Sequence, residues 1–422
     1  MDSLAGHECV EPRDLADLSS HDVFLDGVPH RTFEYLRRED PLAWFDEAGA
    51  SGFWAVTRHA DIVAVNRNYR QFSSRQGIRM EEMADDERAA RLTMMEQDPP
   101  EHTRLRRFVN RGFARPLIET YERRVQDIVI DVLGRALARS EFDCVAEIAK
   151  PLPLKMLANV LGVSDEDGAW LARKGDQMIA NSDPDFTDHV VDRVDTDAFR
   201  LMPFRSPAGA EVFEYAERQA VMRRRQPRDD VISLLLEPLP DGTPLTDLEF
   251  KNFFTLLISA GNDTTRYAIA SSLHVLANQP NLLEQLRCAD ERLWSTAVEE
   301  LLRWSSPTMH FRRTAVEDFE MHGRRIRAGD KLILWFISGD YDETVFEAPY
   351  RVDLTRDPNP HMAFGRGGPH ACLGMWLARL ELRVVLQELV SRIRSIRQTG
   401  PEARLRSNFI NGIKSLPVAV VR

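Results

Sequence analysis

Apolar residues recur at helical spacing through most of residues 102–300, so this stretch predicts a series of α-helices. The clearest helix begins at residues 246–249, Thr-Asp-Leu-Glu, where the threonine hydroxyl and the glutamate carboxylate can each satisfy a free backbone N–H. We predict that it continues almost to Pro280, a length of about 50 Å. Its two ends are apolar nearly all round, as in a helix buried through the core.

Short strands and turns follow this helical part and predict a smaller β region. A second helix is predicted to end at Trp304, before Pro307, and residues 341–371 contain too many prolines and glycines for regular structure. Further predicted elements are a strand at Gly52–Val56 that leads into a helix, a strand at Lys331–Ile337, a long last helix at Leu373–Ile396 and a hairpin at Ser407–Val421. The fold class is therefore mainly α with a smaller β region. Because no linker or repeat is visible, we expect a single domain over residues 1–422.

Composition and charge narrow the class of protein. The net charge of -11 argues against a uniformly basic surface for nucleic acid, although local basic patches remain open. The four cysteines are widely spaced, which argues against a disulfide scaffold and a structural zinc site. The N-terminus lacks a secretory pattern and no apolar run approaches 20 residues, so we expect no membrane anchor and a cytoplasmic location.

One segment combines glycines, a histidine and a cysteine in a way that indicates a binding loop. Residues His361–Gly374, here called the cysteine loop, read HMAFGRGGPHACLG. Glycines let the backbone approach a bound group closely. Cys372 lies at or just before the predicted last helix, where the helix dipole stabilises a thiolate that can serve as a nucleophile or as a metal ligand. A cysteine nucleophile or a zinc site at this position lacks a visible set of partners.

The cysteine loop resembles the haem-binding loop of the cytochrome P-450 family, F-G-x-G-x-H-x-C-x-G, with one extra residue and Pro369 between Phe364 and His370. The resemblance implies the fold of that family, with a long central helix over a haem b group whose iron is bound by Cys372. Ala260 and Gly261 in the middle of the long helix would then border the haem. Beside them, Thr264 would hydrogen-bond dioxygen and Asp263 would help to deliver protons.

The resemblance extends to residues that would hold the haem carboxylates and the cysteine loop. It implies that His102, Arg106, Arg313 and His370 bind the propionates, and that Glu300, Arg303 and Arg351 form a structural triad. Arg104, Arg107 and Arg111 could form a docking patch for an acidic electron donor, or simply a solvated charged face. Candidate substrate contacts are Leu257, Ala260, Gly261, Met309, His310 and Ile410.

The family resemblance implies a monooxygenase that inserts one oxygen atom of O2 into a C–H bond of a small molecule. No flavin, nicotinamide or iron–sulfur motif is visible, so electrons would come from a ferredoxin and its NAD(P)H-dependent reductase. The motif details most resemble enzymes acting on branched lipids, sterols and terpenoids. His310 leaves open a natural-product tailoring enzyme that oxidises or couples an aromatic scaffold. A haem-thiolate sensor without turnover is a further alternative, against which the Asp263–Thr264 pair argues.

Overall fold

The computed structural model describes residues 14–47 and 49–422, in which helices predominate and strands form a smaller part, as predicted. In this part of the chain no helix is long and apolar enough to cross a membrane. The helices are α1 (His30–Glu39), α2 (His59–Arg67), α3 (Asp85–Arg91), α4 (Glu101–Phe113), α5 (Arg115–Glu119), α6 (Glu122–Ala136), α7 (Pro151–Leu161), α8 (Asp165–Ile179), α9 (Pro207–Arg225), α10 (Val231–Leu236), α11 (Asp247–Asn278), α12 (Pro280–Arg287), α13 (Glu291–Ser305), α14 (Phe336–Gly339) and α15 (Met375–Arg392).

Helix α11 is the predicted central helix and spans 32 residues. The Thr246 hydroxyl accepts the Glu249 N–H at 3.2 Å, and the Glu249 carboxylate accepts the Thr246 N–H at 2.8 Å, which confirms the predicted capping box. Both ends of the helix are buried among its neighbours, whereas Ala260 and Gly261 in the middle are exposed. An exposed turn inside a buried helix shows that its middle faces an internal space.

Within residues 14–47 and 49–422 the strands form four small sheets. They are β1 (Leu42–Phe45), β2 (Phe53–Val56), β3 (Phe72–Ser73), β4 (Glu141–Asp143), β5 (His310–Ala315), β6 (Phe319–Met321), β7 (Arg324–Ile326), β8 (Lys331–Trp335), β9 (Ser395–Gln398), β10 (Ala403–Arg404), β11 (Ile413–Ser415) and β12 (Pro417–Val421). The largest sheet has the order β1-β2-β8-β5-β3, with β2 and β8 parallel and the other pairs antiparallel. This sheet places β5, with Arg313, beside the cysteine loop.

Two predicted elements near the C-terminus differ from the structure. The last helix ends at Arg392 because the following residues form β9, which pairs with β12. The expected hairpin over 407–421 does not form, since β11 pairs with β10 while β12 lies between β4 and β9. Long-range strand pairing therefore decides the structure of this segment.

A buried ion cluster ties α13 to the chain before the cysteine loop. Glu300 is fully buried and accepts two hydrogen bonds from Arg303, both at 2.8 Å, as expected. The third member of the cluster is Arg356, whose Nε lies 3.0 Å from Glu300 Oε2. The assignment of Arg351 to the triad is wrong, because this side chain is 74% exposed and lies 3.7 Å from Asp353 instead. The turn between the two arginines carries Arg351 outward and brings Arg356 back to the buried carboxylate.

Candidate haem and oxygen site

The cysteine loop holds a tight turn that presents Cys372 at its surface. The Cys372 N–H donates to the Phe364 carbonyl at 2.8 Å, and Gly365 adopts a φ of 72°, a conformation that favours glycine. At Gly368 a Cβ atom would come within 2.3 Å of the Asn66 carbonyl oxygen, so only glycine fits against α2 there. These contacts explain two of the four glycines in the cysteine loop.

Asn66 on α2 joins the cysteine loop to Arg313. Its side-chain N–H donates to the Arg366 carbonyl at 2.9 Å, and its Oδ1 accepts from Arg313 Nη2 at 2.7 Å. Arg313 also donates to the Arg312 carbonyl at 2.7 Å. Burial lowers the pKa of Arg313 to about 10, so the guanidinium remains a cation at neutral pH. Both acceptors are neutral, which leaves its positive charge available to an anionic group.

The other three predicted propionate partners lie in the same region. The His102 and His370 rings are 4.4 Å apart, and His370 Nε2 lies 3.2 Å from the Ser74 hydroxyl. His102 Nε2 and His370 Nδ1 are buried without a partner among the described residues. Arg106, whose charge acts on Cys372, donates to Asn110 at 3.0 Å. Burial lowers the pKa of His102 to about 4, so its imidazole is a neutral hydrogen-bond donor or acceptor.

These residues fit a haem. Two partly engaged guanidiniums and two imidazoles with unpartnered nitrogens suit the two carboxylates that this group carries. Cys372 is exposed at the loop surface. The protein around its sulfur removes water from it and so raises the pKa of the thiol, whereas the Gly374 amide and the Arg106 charge lower this pKa. Coordination to a metal deprotonates such a thiol, so Cys372 would hold the iron. Phe364 lies under the Arg379 guanidinium at 4.5 Å, on the same side of the loop.

The middle of α11 supplies small and hydroxylated groups at the internal space. Ala260 and Gly261 are exposed, and Thr264 on the next turn is partly exposed. Thr264 Oγ1 donates to the Ala260 carbonyl at 3.0 Å, a bond that competes with the regular helix ladder. The structure therefore brings together the three α11 residues that the sequence predicted to face the cofactor and dioxygen.

Asp263 points away from that space into a buried charge network. Its Oδ1 accepts from Asn262 at 3.0 Å and from Arg266 at 2.9 Å. Arg266 also contacts Asp176 at 2.8 Å, and Asp176 contacts Lys150 at 2.9 Å, whose side chain is 38% exposed. Burial, together with the charge of Asp176, raises the pKa of Asp263. Burial therefore makes this carboxyl harder to ionise than an exposed aspartate, and the network extends from it to solvent.

The predicted substrate contacts outside the middle of α11 lie in packed surroundings. Met309, His310 and Ile410 are at most 1% exposed, and Leu257 is 8% exposed. The His310 ring packs edge-on against Trp335 at 4.8 Å, and burial lowers its pKa to about 3. Their proposed contact with substrate stays a prediction.

A cavity of about 590 Å³ adjoins the N-terminal half of α11 and was not predicted from the sequence. It lies between the segment before α4, the α8–α9 connection and α11. Its lining includes Arg79, Arg91, Phe204, Asn252 and Leu256. Neither Leu257, Met309, His310 nor Ile410 borders it. In the sequence, only the charged residues around 79–96 mark this cavity. They could not predict it, because ordinary surface segments have the same composition.

Comparison with known proteins places this site in a family. The sequence model described as Cytochrome P450 matches residues 208–417. The chain is 35% identical to the methyl-branched lipid omega-hydroxylase of Mycobacterium tuberculosis, covering 93% of this chain and 91% of that protein. It is 34% identical to the linalool 8-monooxygenase of Pseudomonas putida, covering 96% and 98%.

A solved structure shows the same fold. A cytochrome P450 of Mycobacterium marinum in complex with pseudoionone superposes with a TM-score of 0.87 at 35% identity, covering 97% of this chain and 100% of that one. Haem and small-molecule substrates belong to the chemistry of these proteins. With a cysteine loop and a set of carboxylate partners in one site, this chain belongs to the cytochrome P450 family and is a cytochrome P450 monooxygenase.

Proposed function

We propose that the enzyme uses O2 to hydroxylate a C–H bond of a mostly apolar small molecule, namely a terpenoid, sterol or branched lipid. Two observations carry this proposal. His102, Arg106, Arg313 and His370 cluster beside the loop that holds Cys372, and the turn at Ala260 and Gly261 is exposed in the middle of α11. The names of the relatives, which act on a branched lipid and on linalool, support the substrate class.

The haem b group, when bound to Cys372, supplies the oxidising power that cleaves O2 and attacks the C–H bond. The balanced reaction consumes the substrate, O2, two protons and two electrons, and yields the alcohol and water. His102, Arg106, Arg313 and His370 would orient the group through its carboxylates. The small side chains at residues 260 and 261 leave room beside it.

Helix α11 contributes the side chains that would deliver protons. Thr264 Oγ1 holds a proton at the edge of the internal space, 3.0 Å from the Ala260 carbonyl. Asp263, whose pKa is raised by burial, would resupply it by rotation toward the space, and Lys150 through Asp176 would replace the proton from solvent. If Thr264 donates its proton and Asp263 then reprotonates it, less hydrogen peroxide should be released.

We propose that a ferredoxin, reduced by an NAD(P)H-dependent reductase, supplies the electrons. Trp376, two residues after the cysteine loop, is exposed, and the Arg115 guanidinium lies 4.8 Å from the centre of its ring. Arg107 on α4 is also exposed. Of the earlier patch, Arg104 is paired with Glu249 and Arg111 with Glu237 at 2.6 Å. A cationic and aromatic surface of this kind suits an acidic partner, and its electron transfer should slow as ionic strength rises.

An optical titration of the purified holoenzyme tests the proposal. Terpenes, sterols, branched lipids and aromatic metabolites are added while the Soret band is followed from low spin to high spin. Product analysis under labelled O2 then locates the inserted oxygen atom. We expect a shift and one labelled oxygen with the apolar classes. A protein without a Soret band would refute the proposal, and a shift with aromatic metabolites alone would exclude the lipid and terpenoid classes.

A further inference from the structure

The 590 Å³ cavity and the exposed turn at Ala260 and Gly261 lie along the same helix, α11. Asn252 and Leu256 border the cavity, and Ala260 and Thr264 are the next members of the same i, i+4 ridge. The rise along a helix places Asn252 about 12 Å from Ala260. An elongated molecule can therefore lie along this ridge with one end in the cavity and the other beside the exposed turn.

Three buried polar atoms on the cavity lining have no partner among the described residues. They are Arg79 Nε, Arg91 Nε and Asn252 Oδ1. The Arg79 guanidinium has five N–H donors, and its Nη2 contacts Asn181 at 3.2 Å and Glu81 at 3.1 Å. Arg91 has an ion pair only at 3.5 Å, to Glu87. A buried donor that remains unpaired costs stability, so these guanidiniums are suited to an acceptor that enters the cavity.

Each of the six carboxylates on the lining has a partner. Glu81 contacts Arg79 at 3.1 Å, and Glu96 accepts hydrogen bonds from the Thr93 hydroxyl at 2.5 Å and the Thr93 N–H at 3.0 Å. Lys331 contacts Glu47 at 2.5 Å and Glu82 at 3.3 Å. Arg406 contacts Asp22 at 2.5 Å and Asp192 at 2.6 Å.

Arg91 has to share its carboxylate, since Glu87 also contacts Arg205 at 2.7 Å. The unsatisfied groups in the cavity are therefore mainly cationic donors. A guanidinium binds a planar carboxylate through two parallel hydrogen bonds, the strongest arrangement open to it.

The rest of the lining suits the apolar part of such a molecule. Ile78, Met80, Phe204 and Leu256 border the same cavity. The Arg79 guanidinium lies 4.9 Å from the centre of the Phe409 ring and 5.9 Å from that of Phe204, which fixes its orientation.

We infer that the substrate is an amphipathic carboxylic acid whose carboxylate is bound by Arg79 and Arg91, and whose remote end is oxidised. This inference rests on the proposed function and specifies its substrate. The 12 Å between Asn252 and Ala260 is the length of helix that the molecule would follow from the cavity to the exposed turn. Oxygen is therefore inserted far along the chain, away from the carbon next to the carboxylate.

The test compares a methyl-branched hexadecanoic acid, its methyl ester and the corresponding primary amine. Dissociation constants come from the spin-state titration of wild-type holoenzyme and of the Arg79→Gln and Arg91→Gln variants. Arg88→Gln is the matched control, because Arg88 borders the same cavity but is engaged by Asp85 and by the Met83 carbonyl. The thiolate-type Soret band of the reduced carbon monoxide complex verifies that each variant is folded.

We expect wild-type enzyme to bind the acid roughly tenfold or more tightly than the ester, as for a charge-assisted hydrogen bond. Arg79→Gln should reduce this preference to about twofold or less while the ester binds as before, with Arg91→Gln acting in the same direction and Arg88→Gln retaining the preference. Equal binding of acid and ester, tighter binding of the amine, or an equal loss in Arg88→Gln would overturn the inference. So would oxidation next to the carboxyl group. A missing thiolate-type band in wild-type enzyme would instead refute the proposed function.

Discussion

Replacing Arg356 by alanine tests the buried ion cluster around Glu300. The Glu300 carboxylate is fully buried and accepts hydrogen bonds from Arg303, Arg356, the Asn359 side chain and the Asp353 N–H. Arg356→Ala removes a charge-assisted bond to it, and also the bond of Arg356 Nη1 to the Glu347 carbonyl at 2.9 Å. A hydrogen bond to a buried charge contributes about 1.5–3 kcal/mol to the free energy of unfolding.

This loss corresponds to a small but measurable change in Tm. For a chain of 422 residues the unfolding entropy is about 0.9 kcal/mol/K, so Tm should fall by about 2–3 °C. Arg351→Ala is the matched control, since this side chain is 74% exposed and should change the unfolding free energy by less than about 0.5 kcal/mol. Thermal unfolding followed by circular dichroism and by the Soret band gives both values. Equal losses for the two variants, or a larger loss for Arg351→Ala, would refute the assignment of Arg356.

Three further substitutions have expected outcomes. Cys372→Ala should abolish the thiolate-type Soret band of the reduced carbon monoxide complex, whereas the exposed Cys288→Ala should keep it; a band retained in the first variant would exclude Cys372 as ligand. Thr264→Ala should bind substrate normally but divert O2 to hydrogen peroxide. Ser272→Ala removes a similar bond to the helix backbone and should not divert O2. If Thr264→Ala leaves the coupling of electron use to product unchanged, Thr264 is not part of the proton path. Burial raises the pKa of Glu381 to about 8 from 4.5, so its contribution to stability is present below pH 4.5 and is lost as pH rises toward 8. Glu381→Gln should therefore raise Tm relative to wild type by an amount that grows over this range, and a constant difference between these pH values would contradict the burial argument.

Local signals in the sequence were sufficient for the central helix and for the cysteine loop. The capping box at Thr246 and Glu249 depends on residues three positions apart, and it forms as predicted. Gly365, with a φ of 72°, likewise reflects a tight turn whose geometry is decided within a few residues. Such features can be predicted because the interacting groups are neighbours along the chain.

Contacts between distant residues could not be predicted in this way. Arg351 and Arg356 both follow α13 by about 50 residues, and only the path of the intervening turn decides which one reaches Glu300. Asp263 contacts Arg266 on its own helix, and Arg266 in turn contacts Asp176 on another helix. The cavity beside Arg79 is formed by segments far apart in sequence, so its charges could not be told from those of a solvated surface.

The two bonds of Asn66 have a thermodynamic consequence for cofactor uptake. One side chain fixes the Arg366 carbonyl of the cysteine loop and the Arg313 guanidinium on β5, using protein groups alone. The conformational entropy of ordering the loop and this arginine is therefore lost during folding and not when the haem enters. A preorganised binding site of this kind retains more of its contact energy as affinity, so Asn66 contributes to haem retention without touching the iron ligand.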